Sequence, residues 1–239
     1  MADNQGSSLG RDFAAGAQAV LPLLLSVLPF ALITGVVAVQ LGFSAGVASA
    51  FSLVVFAGAS QIVAMQLIHD GAPLAIILLT VAFINLRFTM YSASIAPYFR
   101  GASAGWKALA GYLLTDQAYV LGLYGFAERD GIGRRLAFYL GVALPLWFGW
   151  QVATVLGATL GARLPAAWGL DFAIPLTFMA LVMPALRDAP SWAAAATGGA
   201  VAVAAHDLPW NLGLIAGALA GIAAGMAGAR IRGDEPEAP

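Results

Sequence analysis

The sequence predicts an all-α, polytopic integral membrane protein of about eight transmembrane helices, with seven as the open alternative. Three observations predict it. Of 239 residues, 61% are hydrophobic and only 10% are charged, against about 25% charged in an ordinary soluble domain. Mean hydropathy is +0.85. Apolar runs of the length needed to cross a bilayer, about 20 residues, recur along the chain between short breaks such as HDGAP, ERDGIGRR and HDLPW. A net charge of −1 leaves no cationic surplus for a nucleic-acid partner. A chain without cysteine has no disulfide, thiol or thiolate–metal chemistry.

Residues 1–12, MADNQGSSLGRD, read as a retained cytoplasmic tail, because the apolar run behind them is too long for a signal-peptide core. The expected spans are Phe13–Leu41, Phe43–Ile68, Pro73–Pro97, Ala108–Phe126, Leu136–Leu160, Phe172–Leu186, Trp192–Ala205 and Trp210–Ala229. The sixth and seventh are short, which keeps the seven-span count open. Residues 13–229 form one transmembrane domain, and the polar, Pro-bearing residues 230–239 a C-terminal tail. Cations set orientation. With a cytoplasmic N-terminus, Arg11, Arg129, Arg134, Arg135, Arg187, Arg230 and Arg232 fall inside, and Arg100, Lys107 and Arg163 outside. Both termini are therefore expected in the cytoplasm. Trp106, Trp168, Trp192 and Trp210 fall at span ends, where amphipathic rings anchor. LPFALITGVVAVQLG from Leu28 and LPLWFGWQVATVLG from Leu144 share their ends at similar spacing; a weak internal repeat and chance are the alternatives.

Polar residues inside the spans carry the functional expectation. Arg87 lies mid-span, two residues after Asn85, where a charge costs about 2.5–3.5 kcal/mol even on the mildest scale. At about 100° per residue, Thr80, Arg87, Tyr91 and Ser94 share one face of the third span, and Asn85, Thr89 and Ser92 the opposite one. Asp116 sits near the middle of the fourth span, with Tyr112 and Tyr119 expected on its face. Arg87 and Asp116 are thus expected to meet, either as a packing ion pair or lining a polar path. In the second span Gly58, Ser60 and Gln61 come together, as small-residue packing or as an unwound segment offering backbone groups. Gln18, Pro22, Ser26 and Pro29 line the first span, and Pro145, Pro175 and Pro184 interrupt later ones. Interrupted spans occurring together point to a transporter site.

Enzyme signatures such as GxSxG, HExxH or a Walker glycine–lysine pair do not occur. His69 and His206 fall in loops expected on opposite sides of the membrane, so they cannot share a metal, and no cofactor is expected. In the last span Gly213, Gly217, Gly221 and Gly225 recur every fourth residue, a spacing that lets another helix approach closely. That helix belongs either to this chain or to a separate subunit.

GFSAGVASAFSLVVFAGASQ, INLRFTMYSASIAP, LTDQAY and GLDFAIPLTFMALVMPAL resemble, in order, segments of the azaleucine-resistance (AzlC-type) permease family, branched-chain amino acid exporters of bacteria and archaea. The resemblance runs from Phe13 to the last span. It implies the large subunit of a secondary exporter in the cytoplasmic membrane. It also implies a small AzlD-type partner of about four helices, for which the Gly-lined last span offers a seat. Where the family often has Arg-His before Leu-Tyr, this chain keeps Arg87 and Tyr91 but has Phe88 and Met90; where it usually has Thr-Asp-Glu, this chain reads Thr115-Asp116-Gln117. One imidazole and one carboxylate are thereby absent from any proton relay at these positions.

The expected substrate-binding residues are Arg87, Asp116, Ser60, Gln61, Gly58, Asn85, Tyr91, Tyr112 and Tyr119, a zwitterion needing both donors and acceptors. Asp116 is the expected proton carrier, being the one mid-span carboxylate. A non-transporting membrane scaffold, in which Arg87 and Asp116 only fix the fold, is the rival reading.

Overall fold

A computed structural model describes residues 2–162, 179, 183 and 186–232. Among these residues the chain is helical, with no strand. The α-helices are α1 (Ala2–Gln40), α2 (Ala45–Val54), α3 (Gly58–His69), α4 (Leu74–Ile84), α5 (Leu86–Ile95), α6 (Ala104–Tyr112), α7 (Asp116–Ala127), α8 (Ile132–Gly161), α9 (Ala189–Ala204) and α10 (Leu212–Arg232), with a 3₁₀ turn at Ala96–Phe99. Nearly all of the sixth expected span, with Pro175 and Pro184, lies outside the described residues, as do Arg163 and Trp168.

Three helices, Ser8–Gln40, Ile132–Gly161 and Leu212–Ile231, are long and apolar enough to cross a membrane unbroken. Leu74–Ile84 and Leu86–Phe99 reach that length only taken together across the break at Asn85, as a broken span or a re-entrant loop. Large apolar side chains such as Leu21, Leu25, Val54 and Leu78 stand exposed, as lipid-facing positions must when hydrocarbon is the solvent.

Three expected spans are not single helices. The second is α2 and α3, parted at Val55–Ala57; the third is α4 and α5, parted at Asn85; the fourth is α6 and α7, parted at Leu113–Thr115. With Gly101 against Ile132 and Tyr98 beside Phe126 and Arg135, the loop carrying Arg100 lies at the same end of this unit as Arg129 and Arg135, not opposite them as the eight-span order expects. Each break falls beside a polar or small residue that the chain uses locally. Ser60 Oγ donates to the Ala57 carbonyl at 3.0 Å, and Thr115 Oγ1 accepts the Ala118 N–H at 3.2 Å as the N-cap of α7. Asn85 leaves helical geometry at φ −89°, ψ 2°. The shared face expected for Thr80 and Arg87 therefore does not hold, since they sit on different helices. The helix also starts earlier than Phe13: α1 runs back through the expected tail to Ala2, with Asp12 buried in it.

The described residues fall into two compact units, one from Met1–Met65 and Ile84–Trp168, the other from Gln66–Phe83 and Gly169–Pro239. In the first, α1 and α8 pack backbone to backbone. A Cβ on Gly16 would strike Phe138, one on Gly35 Thr154, one on Gly141 Phe13, and one on Gly157 Leu32. Rising numbers on α1 meet rising numbers on α8, so the two helices are parallel. Both stay helical through their prolines, Pro22, Pro29 and Pro145, and the two Leu-Pro segments thus lie on parallel helices. Around this pair Phe99, Phe126, Tyr139 and Leu146 form the core, and the buried Tyr139 hydroxyl donates to the Ala110 carbonyl at 2.7 Å. At one end of α1, Asp12 accepts from Arg129 Nε at 2.9 Å and from Arg134 Nε at 2.7 Å.

In the second unit, α10 turns its glycine row to α9. Cβ atoms on Gly217 and Gly221 would meet Gly198, Ala202 and Ala194. This stretch of the row is occupied from within the chain.

Candidate functional site

The first turns of two helices, α5 and α7, build the site. Asp116 opens α7 directly after the Thr115 cap, where the positive end of the helix dipole faces a carboxylate. Arg87 is the second residue of α5. Its Nη1 lies 3.0 Å from Asp116 Oδ2 and 3.1 Å from Oδ1. One turn on, the Tyr91 hydroxyl donates to Asp116 Oδ1 at 2.8 Å. The Tyr91 ring stacks on Tyr119 at 4.3 Å and 12°, and the Tyr119 hydroxyl donates to Ser94 Oγ at 3.2 Å. Two helices are thus joined by an ion pair, a phenol–carboxylate bond and a ring stack.

This pair is not sealed. The Arg87 and Asp116 side chains are 34% and 41% exposed. Arg87 also carries an unused donor: its Nε is buried with no hydrogen-bond partner, as is Asn85 Oδ1. The guanidinium carbon lies 5.0 Å from the centre of the Phe88 ring, a distance at which a cation gains from the ring face. Phe88 thus lies against the guanidinium.

The second group gathers at the α2–α3 break. Gln61 is fully buried, and neither its Nε2 nor its Oε1 has a partner. Such an amide carries a desolvation penalty of about 1–3 kcal/mol that a polar ligand would relieve. Ser60 is buried and spends its hydroxyl on Ala57. Gly58 lies beneath the rings of Trp150 and Phe30, which leave no room for a Cβ; here the packing alternative for this glycine is the one observed.

Tyr112 does not join Asp116. Because the chain unwinds at Leu113–Thr115, the i−4 relation is lost, and the Tyr112 hydroxyl instead donates to the Leu53 carbonyl at 2.6 Å and accepts Trp147 Nε1–H at 2.9 Å. The neighbouring end of α2 is held the same way. Trp150 Nε1 donates to Ser52 Oγ at 2.9 Å, and Gln151 Nε2 to the Ser52 carbonyl at 3.4 Å. Sequence reasoning missed Ser52, Trp147, Trp150 and Gln151. The available signal was a pair of tryptophans and a glutamine in the middle of a span rather than at its ends, where indoles normally anchor.

Among the described residues no three His, Cys, Asp or Glu side chains stand together as a metal site. The arrangement is suited to binding and exchange of charged groups: a cation and an anion paired, partly open, with a spare donor in Arg87 Nε and a spare acceptor in Asn85 Oδ1.

A family model described as AzlC protein matches residues 22–164, a stretch that contains every site residue named above. The chain belongs to the AzlC family. Its relatives include an uncharacterized membrane protein of Archaeoglobus fulgidus, 33% identical over 87% of this chain and 92% of that protein. The inner membrane protein YgaZ of Escherichia coli is 28% identical over 87% of both chains, and an uncharacterized membrane protein of Helicobacter pylori is 28% identical over 67% of this chain and 70% of its own. No solved structure matches. This chain is therefore an AzlC-family membrane protein.

Proposed function

We propose that this AzlC-family protein is the large subunit of a secondary transporter that exports small neutral amino acids, branched-chain ones by family resemblance, across the cytoplasmic membrane of a prokaryote. The observation that carries the reading is the part-open Arg87–Asp116 pair at the breaks of two spans. A zwitterion can insert into it: the substrate carboxylate takes Arg87, the ammonium takes Asp116, and the pair re-forms when the substrate leaves. Tyr91 then holds the carboxylate's position through the exchange, with Tyr119 bracing its ring. Gln61 and Asn85, with their unpaired amide atoms, are the further polar contacts, while Ser60, Gly58 and Tyr112 keep the α2–α3 break in shape.

Asp116 is the proposed proton carrier: in the substrate-free states its carboxylate can exchange the Arg87 contact for a proton. A second, small membrane subunit of the AzlD type is the proposed partner, on the family resemblance alone. Both termini are proposed as cytoplasmic; the Asp12–Arg129–Arg134 cluster supports the N-terminus and the α7–α8 loop lying on one side.

The direct test is counterflow of labelled leucine in proteoliposomes, together with melting of the purified protein with and without leucine, since a bound ligand raises stability by mass action. Saturable counterflow and a leucine-dependent rise in melting temperature are expected. Neither effect with any neutral amino acid, in a protein that is well folded, would favour the scaffold reading instead.

A further inference from the structure

A cavity lies between α5, the 3₁₀ turn that follows it, and α6. It encloses about 470 Å³, within the range of about 300–1,000 Å³ usual for small-ligand sites. It shares no lining residue with the Arg87–Asp116 cluster. Its floor is dry: Ile95, Phe99 and Ala110 are each 4% exposed. Its rim is cationic, formed by Arg100 and Lys107.

These two cations, like Arg135 over the nearby Tyr98 ring, lack the aspartate that other arginines of this unit face. Arg87, Arg129 and Arg134 each face an aspartate within 3.0 Å. Among the described residues no carboxylate pairs with Arg100 or Lys107; instead Lys107 Nζ donates to the Arg100 backbone carbonyl at 3.3 Å. Both side chains line the same cavity, so an anion seated there would meet two cations. Trp106, beside Lys107, is 45% exposed and placed as an interfacial anchor. An apolar floor and a cationic rim match the acyl–glycerol and phosphate parts of a lipid.

We propose that this cavity holds the phosphodiester headgroup of an anionic phospholipid, with Arg100 and Lys107 on the phosphate and the Ile95–Phe99–Ala110 floor against the glycerol and upper acyl carbons. Basic pockets between transmembrane helices are suited to such headgroups.

The test compares melting of the full-length protein in detergent micelles doped with phosphatidylglycerol or with phosphatidylcholine, and counts retained lipid by native mass spectrometry. The wild type should gain stability from phosphatidylglycerol alone and retain one such lipid. Arg100→Gln/Lys107→Gln should melt like wild type with phosphatidylcholine, lose the phosphatidylglycerol gain, and retain that lipid at least roughly tenfold less well. Gly111→Leu is the independent variant. A Cβ at Gly111 meets open space, so the side chain can fill the cavity while both cations remain, and it too should abolish the gain. Equal effects of the two lipids, an unchanged gain in either variant, or reproduction of the gain by inorganic phosphate in phosphatidylcholine micelles would each overturn the proposal.

Discussion

Arg87 Nη1 sits 3.0 Å from Asp116 Oδ2, joining the first turn of α5 to the first turn of α7 at the points where two membrane spans are broken. Each residue answers the other's charge, so removing one leaves the other alone in a low-dielectric setting. Arg87→Leu and Asp116→Asn should each lower the yield of folded protein, measured by size-exclusion chromatography. The double neutral variant should recover folding but not transport. A double variant as poorly folded as the worse single would show that the pair carries no coupling.

Asp116→Asn also separates proton transfer from packing. An amide keeps the size of the carboxylate but cannot cycle a proton, and Gln117 offers no substitute carboxylate. Gradient-driven flux in vesicles should fall to background while counterflow without a gradient persists. Loss of both together would reduce Asp116 to a counter-ion, and full driven flux would remove it from the proton path.

Tyr91→Phe should leave the ring stack on Tyr119 and delete only the hydroxyl on Asp116 Oδ1. A hydrogen bond to a charged group is worth about 1.5–3 kcal/mol net, and the part-exposed carboxylate puts this one at the low end. Leucine affinity in a binding assay should weaken several-fold, with melting nearly unchanged. Tyr119→Ala, which removes the brace, should have the larger effect on binding.

Gly157→Leu should be among the most damaging apolar changes in the first unit. The new side chain would meet the Leu32 backbone, forcing α1 and α8 apart at a cost of roughly 1–3 kcal/mol or more. A melting temperature equal to that of the wild type would contradict the close parallel packing of these helices.

A C-terminal alkaline phosphatase fusion should be inactive, and a green fluorescent protein fusion bright, if both termini are cytoplasmic. The reverse pattern would overturn the orientation drawn from Arg11, Arg129, Arg134 and Arg135.

Composition and hydropathy by themselves determined that the chain is helical and membrane-embedded, because hydrocarbon tolerates only apolar side chains and internally satisfied backbone. They also identified Arg87 and Asp116 as partners, since a charge in that setting must find its opposite. The tertiary structure alone decided where the spans break. An apolar run looks the same whether it is one helix or two, and the cap at Thr115 and the turn at Asn85 are local choices made against neighbouring helices. That decision redistributed the tyrosines. Tyr91, expected beside Arg87, became the second donor to Asp116; Tyr119 became its brace; and Tyr112, cut off by the break at Leu113–Thr115, went to the Leu53 carbonyl and Trp147. Ser52, Trp150 and Gln151 came together from spans 98 and 99 residues apart, a proximity with no periodic signal in the sequence. Helical periodicity places residues along one helix. Which broken ends face each other is set by packing between helices.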